Sequence, residues 1–152
     1  MEKEVVILIG IPASGKSTFY KTNFFPRHLY ISLDQLHSRS AELELFQFAL
    51  RRERSCVIDN TNVTRMRRAT YIQLAKSAGF KVIGYCFWMD KDTARVRNAQ
   101  RDGRARVPDV AIRAMYAQLE YPTPNEGFDE LYFVRSVDGT FVVELYDEKY
   151  LK

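Results

Sequence analysis

Residues 5–9 (Val-Val-Ile-Leu-Ile) are uniformly apolar, with charge before them and glycine after. A strand buried on both faces, as in a parallel sheet, needs such a run. A loop with two glycines and a proline follows, and residues 15–23 then read as a helix. Residues 29–32 form a second short apolar run, a strand. Over residues 34–52, Leu36, Leu43, Phe46 and Leu50 recur on one stripe, which predicts a single helix that begins at Asp34. Residues 56–58 are a third strand. Residues 65–78 are a helix with Tyr71, Leu74, Ala75 and Ala78 inward and Gly79 as its stop. A fourth strand covers 81–88 and a helix 90–101. Residues 102–107 surround Gly103 without an apolar period and read as a loop. Pro108 stands where a helix to about Glu120 would begin, in its favoured first turn. After a proline-broken loop at 121–127, residues 130–134 give a fifth strand. Asp138-Gly139 is a hairpin signal, with a returning strand over 141–145. Strand and helix thus alternate, which predicts an α/β fold: a mostly parallel five-stranded sheet, helices on both faces and a C-terminal hairpin. Ligands of such sheets bind at the carboxyl ends of the strands.

The chain of 152 residues fits one domain, residues 1–152, and shows no repeat or linker that would divide it. No apolar run approaches the length of a membrane span. The run at 5–9 is too short for a signal-peptide core, so a cytoplasmic location away from membranes is expected. Cys56 and Cys86 lie in strand-like runs and read as buried thiols rather than a disulfide. With His28 and His37 they are too scattered for a zinc site. The net charge is +4, and the arginines cluster at 51–54, at 65–68 and at 95–106. Arginine suits phosphate because its planar fork bonds two oxygens at once. Each cluster can equally be a solvated helix face. Phe19, Tyr20, Phe24 and Phe25 read as core aromatics, with stacking on a terminal base as the alternative.

The most specific chemistry lies in Gly10-Ile11-Pro12-Ala13-Ser14-Gly15-Lys16-Ser17, which fits the phosphate-loop pattern G-x-x-x-x-G-K-[ST]. Its glycines allow backbone conformations closed to other residues. Its N–H groups and the following helix N-terminus then favour phosphate. Gly10, Ala13, Ser14, Gly15, Lys16, Ser17 and Thr18 are the expected nucleotide-binding set. Lys16 would reach the β- and γ-phosphates of ATP or GTP, and the Ser17 hydroxyl would bind Mg²⁺. Asp59 ends the third strand, where a Walker B aspartate belongs, near Mg²⁺ or the Ser17 hydroxyl; a turn-forming aspartate would look the same. Asp34 follows the second strand at the same sheet edge. It can take the proton of an attacking hydroxyl, or merely cap the helix it begins. The arginines around Gly103 can form a lid, at about 97–107, that reaches the transferring phosphoryl group.

These residues together resemble the kinase domain of the 5′-hydroxyl polynucleotide kinases. Gly10 to Thr18 is similar to that family's phosphate loop. Ile31-Ser32-Leu33-Asp34 sits where the family has the strand that ends in its catalytic aspartate. Asp59-Asn60-Thr61-Asn62 matches a D-x-T-N element. Arg97-Asn98 and Arg101 match an R-N-x-x-R lid. Val107-Pro108 and Met115-Tyr116 match the helix after it. Glu126-Gly127-Phe128 matches an E-G-F element before the last core strand.

The resemblance implies a P-loop NTPase fold with a short arginine lid. It implies Asp34 as general base on a 5′-hydroxyl, Lys16 and Ser17 on the nucleotide and its metal, and Arg101, with Arg97, on the triphosphate. Asp34, His37, Arg39, Asn60 and Thr61 would face the acceptor. His37 stands where several family members carry an arginine for the acceptor's 3′-phosphate, and Arg39 is available to substitute. The implied partners are a nucleoside triphosphate and a 5′-hydroxyl DNA or RNA end. A ligase or phosphatase is the implied functional partner. Ser136-Val137-Asp138-Gly139-Thr140 superficially resembles the phosphatase motif D-x-D-G-T, but Ser136 replaces its nucleophile. Neither a phosphatase nor a ligase domain is therefore expected. The expected activity is ATP-dependent phosphorylation of polynucleotide 5′-ends. A small-molecule hydroxyl kinase and a binding module switched by nucleotide are the alternatives.

Overall fold

A computed structural model describes residues 2–11, 14–88, 96, 98–100, 107–137 and 139–147, with Asp34 described by its backbone alone. Six strands form one sheet in the order β2-β3-β1-β4-β5-β6. They are β1 (Glu4–Ile9), β2 (Leu29–Ser32), β3 (Cys56–Asp59), β4 (Lys81–Phe87), β5 (Glu130–Val137) and β6 (Thr140–Leu145). The first five run parallel, and β6 returns antiparallel on β5 through the hairpin at Gly139.

Strand β1 lies at the centre, and Val5 to Ile9 are all 0% exposed. Its odd positions, Val5, Ile7 and Ile9, share a core with Phe46 and Ala49 of α3 (Arg39–Arg51) and Tyr71, Ile72 and Ala75 of α4 (Arg65–Ser77). Its even positions, Val6 and Leu8, pack with Phe19 and Tyr20 of α1 (Lys16–Asn23) and with Phe24. The period of two along the strand thus places α1 on one face and α3 with α4 on the other. The aromatic run after the phosphate loop is core, with the exception of Phe25, which is 66% exposed. Cys56 and Cys86 are free and buried, and burial pushes both thiols up to about 12.

Two local expectations need correction. The predicted helix over 34–52 is two helices, α2 (Leu33–Leu36) and α3, with a break at His37 in the left-handed region (φ 61°). Ser38 is extended and its hydroxyl accepts from Ala41 N at 3.0 Å, so a serine cap won over helical continuity. The stripe hid the break because Leu36 and Leu43, seven residues apart, fall on the same face of either arrangement. Ser32, not Asp34, caps α2, through an acceptance from Gln35 N at 3.4 Å. The second correction is at α5 (Asp109–Gln118), where Pro108 is the N-cap residue with extended ψ and not the first helical residue. The predicted helix over 90–101 and the loop over 102–107 fall mostly outside the described residues.

Candidate functional site

Strand register sets the site. Leu8 pairs with Asp59 and Asp59 with Ser32, so β1, β3 and β2 end level with one another. Three segments leave that edge: the phosphate loop after β1, residues 60–64 after β3, and α2 after β2. They enclose a cavity of about 780 Å³.

The phosphate loop supplies one wall through Gly15, Lys16, Ser17 and Thr18. Gly15 caps α1 at φ +97°, a conformation that L side chains rarely adopt, and a Cβ there would lie 3.1 Å from the Phe141 ring of β6. Lys16 is buried and folds back over the loop, donating to the carbonyls of Gly10 (2.8 Å) and Ile11 (3.0 Å). Ser14 is also buried. Ala13 lies outside the described residues.

Asp59 sits on the wall at the end of β3 and accepts a hydrogen bond from the Tyr30 hydroxyl. Tyr30 leans on Tyr20 with ring centroids 4.2 Å apart. Sequence periodicity gives Tyr30 no role, because nothing in it foretells a cross-strand bond. Ser17 and Asp59 bring hydroxyl and carboxylate oxygens to the same cavity. That is the hard-oxygen donor set Mg²⁺ prefers, with water completing its shell. Among the described residues no group of three or more His, Cys, Asp or Glu gathers around a common point.

The segment after β3 divides its four residues between wall and scaffold. Asn60 and Thr61 line the cavity. Yet the Asn60 amide is already committed. Its nitrogen donates to Glu42 (2.7 Å) and to the Tyr71 hydroxyl (3.3 Å), and its oxygen accepts from Asn62 N (2.8 Å). Thr61 gives its carbonyl to Gly10 N at 3.0 Å, tying this segment to the phosphate loop. Asn62 donates to the Leu8 carbonyl at 2.8 Å and offers its own carbonyl to Arg68. Arg68, 0% exposed, completes a bidentate fork on Glu126 at 2.8 and 3.1 Å. The E-G-F element is therefore a buttress. Glu126 holds Arg68, and Phe128 fills the space over Gly84, where a Cβ would come within 2.7 Å of it. This pairing with the D-x-T-N segment is not legible from spacing, since 58 residues separate the partners.

On the β2 side, Ser32, Leu33 and Gln35 line the cavity, so the residues on either side of Asp34 belong to its wall. Arg39, in the first turn of α3, lines it too. His37, the other expected acceptor residue, is not on the wall; it forms the helix break. Lys21, Arg67 and Met115 join the wall unforeseen. Arg97 and Arg101, the expected lid arginines, lie outside the described residues. Asn98, next to Arg97 in sequence, is 0% exposed and bonds to Val107. It accepts from Val107 N at 2.8 Å and donates to the Val107 carbonyl. Gln100 and Val107, the described residues on either side of 101–106, line the cavity.

A family model described as "AAA domain" matches residues 30–122. The chain is 29% identical over 130 residues to a bifunctional polynucleotide phosphatase/kinase of Schizosaccharomyces pombe, covering 83% of this chain and 32% of that protein. It is 30% identical over 137 residues to a putative bifunctional polynucleotide phosphatase/kinase of Acanthamoeba polyphaga mimivirus, covering 86% of this chain and 32% of that protein. The chain thus spans about a third of the length of these relatives. Among solved structures it is similar to Chaetomium thermophilum Kti12 in complex with ADP-AlF3, with a TM-score of 0.68 and 18% identity over 88% of this chain and 90% of that one. That likeness bears on the fold alone, and the fold is the P-loop NTPase arrangement that the sequence resemblance implied. The chain belongs to the AAA domain family of P-loop proteins.

Proposed function

We propose that this chain is a kinase that transfers the γ-phosphoryl group of ATP or GTP to the 5′-hydroxyl end of DNA or RNA. One observation carries the reading: Lys16 and Ser17 of the phosphate loop share a single cavity with the residues on either side of Asp34. A hydrolase needs only the first of these. An alcohol acceptor also requires a group that takes its proton, the role proposed for Asp34. The relatives named polynucleotide phosphatase/kinase support the choice of acceptor.

The proposed roles follow from position. Backbone N–H groups of the loop and the N-terminus of α1 hold the triphosphate, with Lys16 on its β- and γ-phosphates. Ser17 and Asp59 would hold Mg²⁺, which when bound neutralises charge on those phosphates. Asp34 takes the proton of the 5′-hydroxyl as its oxygen attacks phosphorus. The new O–P bond forms while the bond to the β-phosphate's bridging oxygen breaks, and the nucleoside diphosphate leaves. Arg97 and Arg101 are assigned to the transferring group from the lid. Residues 1–152 act as one kinase domain, with no phosphatase or ligase chemistry of their own: Ser136 stands where the phosphatase motif has its nucleophile, and it pairs with Phe141 and Val137 with Thr140 across the hairpin.

The test is transfer from γ-labelled ATP with Mg²⁺ to short 5′-hydroxyl DNA and RNA oligonucleotides, beside nucleosides and sugars. Label should appear on an oligonucleotide. It should fall by about 10²–10⁴-fold in Asp34→Ala, the range for loss of a general base. Label confined to a small molecule overturns the acceptor assignment, and unaltered transfer in Asp34→Ala overturns the base.

A further inference from the structure

A phosphate loop built on glycine has few side chains with which to hold itself in place. Its N–H groups bind phosphate well only if they already converge, so the loop has to be anchored from outside. Two anchors hold its start: the Thr61 carbonyl accepts from Gly10 N at 3.0 Å, and Lys16 donates to the Gly10 and Ile11 carbonyls. Its end, at Gly15, is met by a side chain from the far edge of the sheet.

Three phenylalanines stand edge to face against one another: Phe19 of α1, Phe87 of β4 and Phe141 of β6. The ring centroids are 5.2 Å apart for Phe19 and Phe87, 5.3 Å for Phe19 and Phe141, and 6.4 Å for Phe87 and Phe141. All three pairs have the T-shaped geometry that aromatic rings favour. Both glycines of the loop rest on this trio. A Cβ at Gly10 would lie 3.0 Å from the Phe87 Cβ, and a Cβ at Gly15 would lie 3.1 and 3.3 Å from two atoms of the Phe141 ring. Phe19 joins them through the backbone, donating its N–H to the Gly15 carbonyl at 2.9 Å.

Phe141 reaches this place because of what faces it. Strand β6 is the edge of the sheet, and the residue paired with Phe141 on β5 is Ser136. Paired residues share a face, and a serine leaves the ring free to lie inward over β5 and meet Phe87. Val143 and Leu145 follow on the same face of β6 by the period of two, yet they stay 45% and 76% exposed. Phe141 is half-buried and is not on the cavity wall. Its contact with the site runs through Gly15.

We propose that Phe141 is a positioning residue for the donor nucleotide. Its ring holds Gly15 where the loop's N–H groups converge on the phosphates, which makes the C-terminal hairpin part of the nucleotide site. The proposal rests on the phosphate loop's holding a triphosphate and is indifferent to the acceptor.

The experiment measures dissociation constants for ATP and for inorganic tripolyphosphate, each with Mg²⁺, by calorimetry on the full chain. Phe141→Ala should weaken both by tenfold or more and by the same factor, because the nucleoside is not involved. Phe141→Leu, which refills part of the space, should lose less. Leu145→Ala, on the same face of the same strand, should change neither. Circular dichroism and thermal melting set the titration temperature well below each variant's transition, so that lost affinity is not lost fold. If Phe141→Ala does not fold, Phe141→Leu carries the test, with an expected loss of more than twofold for both compounds. Dissociation constants within twofold of wild type in the variant that carries the test overturn the proposal: the ring would then support the hairpin alone. A loss for ATP with none for tripolyphosphate also overturns it, by placing the ring on the nucleoside. A wild type that binds neither compound overturns the phosphate site itself, and the role of Phe141 with it.

Discussion

Glu42 is 1% exposed, and a buried carboxylate is costly unless donors meet it. The Tyr71 hydroxyl meets one of its oxygens and the Asn60 amide the other. Burial, and then the bond to Glu42, pushes the Tyr71 phenol well above its ordinary range, so it stays a donor at physiological pH. Asn60, at the variable position of the D-x-T-N element, thus has a scaffold role as well as a place on the wall. It fixes the backbone that offers the Thr61 carbonyl to Gly10. Glu42→Gln would set an amide N–H₂ against the Asn60 N–H₂, or leave the Tyr71 hydroxyl unanswered. The expected loss is about 1–3 kcal/mol of stability, the cost of an unsatisfied buried polar group. It should register as a lower denaturation midpoint in urea with an unchanged slope. An unchanged midpoint would show that the network is not what holds this carboxylate.

At the scale of elements, α4 is fixed at its start by Arg68 and along its length by the core. The Arg68–Glu126 pair joins it to the 3-10 turn Pro124–Glu126, whose Thr123 N also donates to Glu126 at 2.8 Å. Removing one member of a buried pair costs more than the pair itself contributes, because the other charge stays behind. Arg68→Ala should therefore lose about 3–5 kcal/mol. Arg67→Ala, one residue away and exposed, should change stability by less than about 0.5 kcal/mol. Parallel urea titrations of the two variants decide it, and equal midpoints would refute the division of labour. That division was invisible in the sequence: Arg65, Arg67 and Arg68 read as one cluster. Strand runs were legible because apolar β-branched residues fill a sheet buried on both faces. β2 begins and ends where the run does. The break at His37 was not legible, since a serine hydroxyl decides it locally while the stripe continues. The phosphate loop and Asp59 were legible because each ends a strand. Arg67 and Tyr30 were not, because their place depends on contacts between elements.

For the whole molecule, the question is how much of its positive charge an acceptor strand meets. Helix α3 runs from Arg39 at the cavity to Arg51, and Arg52 and Arg54 follow it. That arginine cluster therefore lies about 18 Å away along the helix axis, at 1.5 Å per residue. On the proposed polynucleotide kinase reading, a short strand that begins in the cavity would meet Arg39 and Arg67, which line it, before it could reach the cluster. Single strands release counterions with a log–log slope of about −0.7 per phosphate contact, so two contacts predict about −1.4 for a tetranucleotide's acceptor affinity. The measurement is binding of a 5′-hydroxyl tetranucleotide over a range of monovalent salt, at saturating nucleotide. Arg39→Gln and Arg67→Gln should each lower the slope by about 0.7. A wild-type slope steeper than about −3 would place four or more contacts on the strand and bring other basic clusters into the acceptor path. A flat line would mean that the cavity's arginines take no phosphate from the acceptor. The net charge of +4 would then belong to the protein's surface, and the acceptor would be an uncharged alcohol.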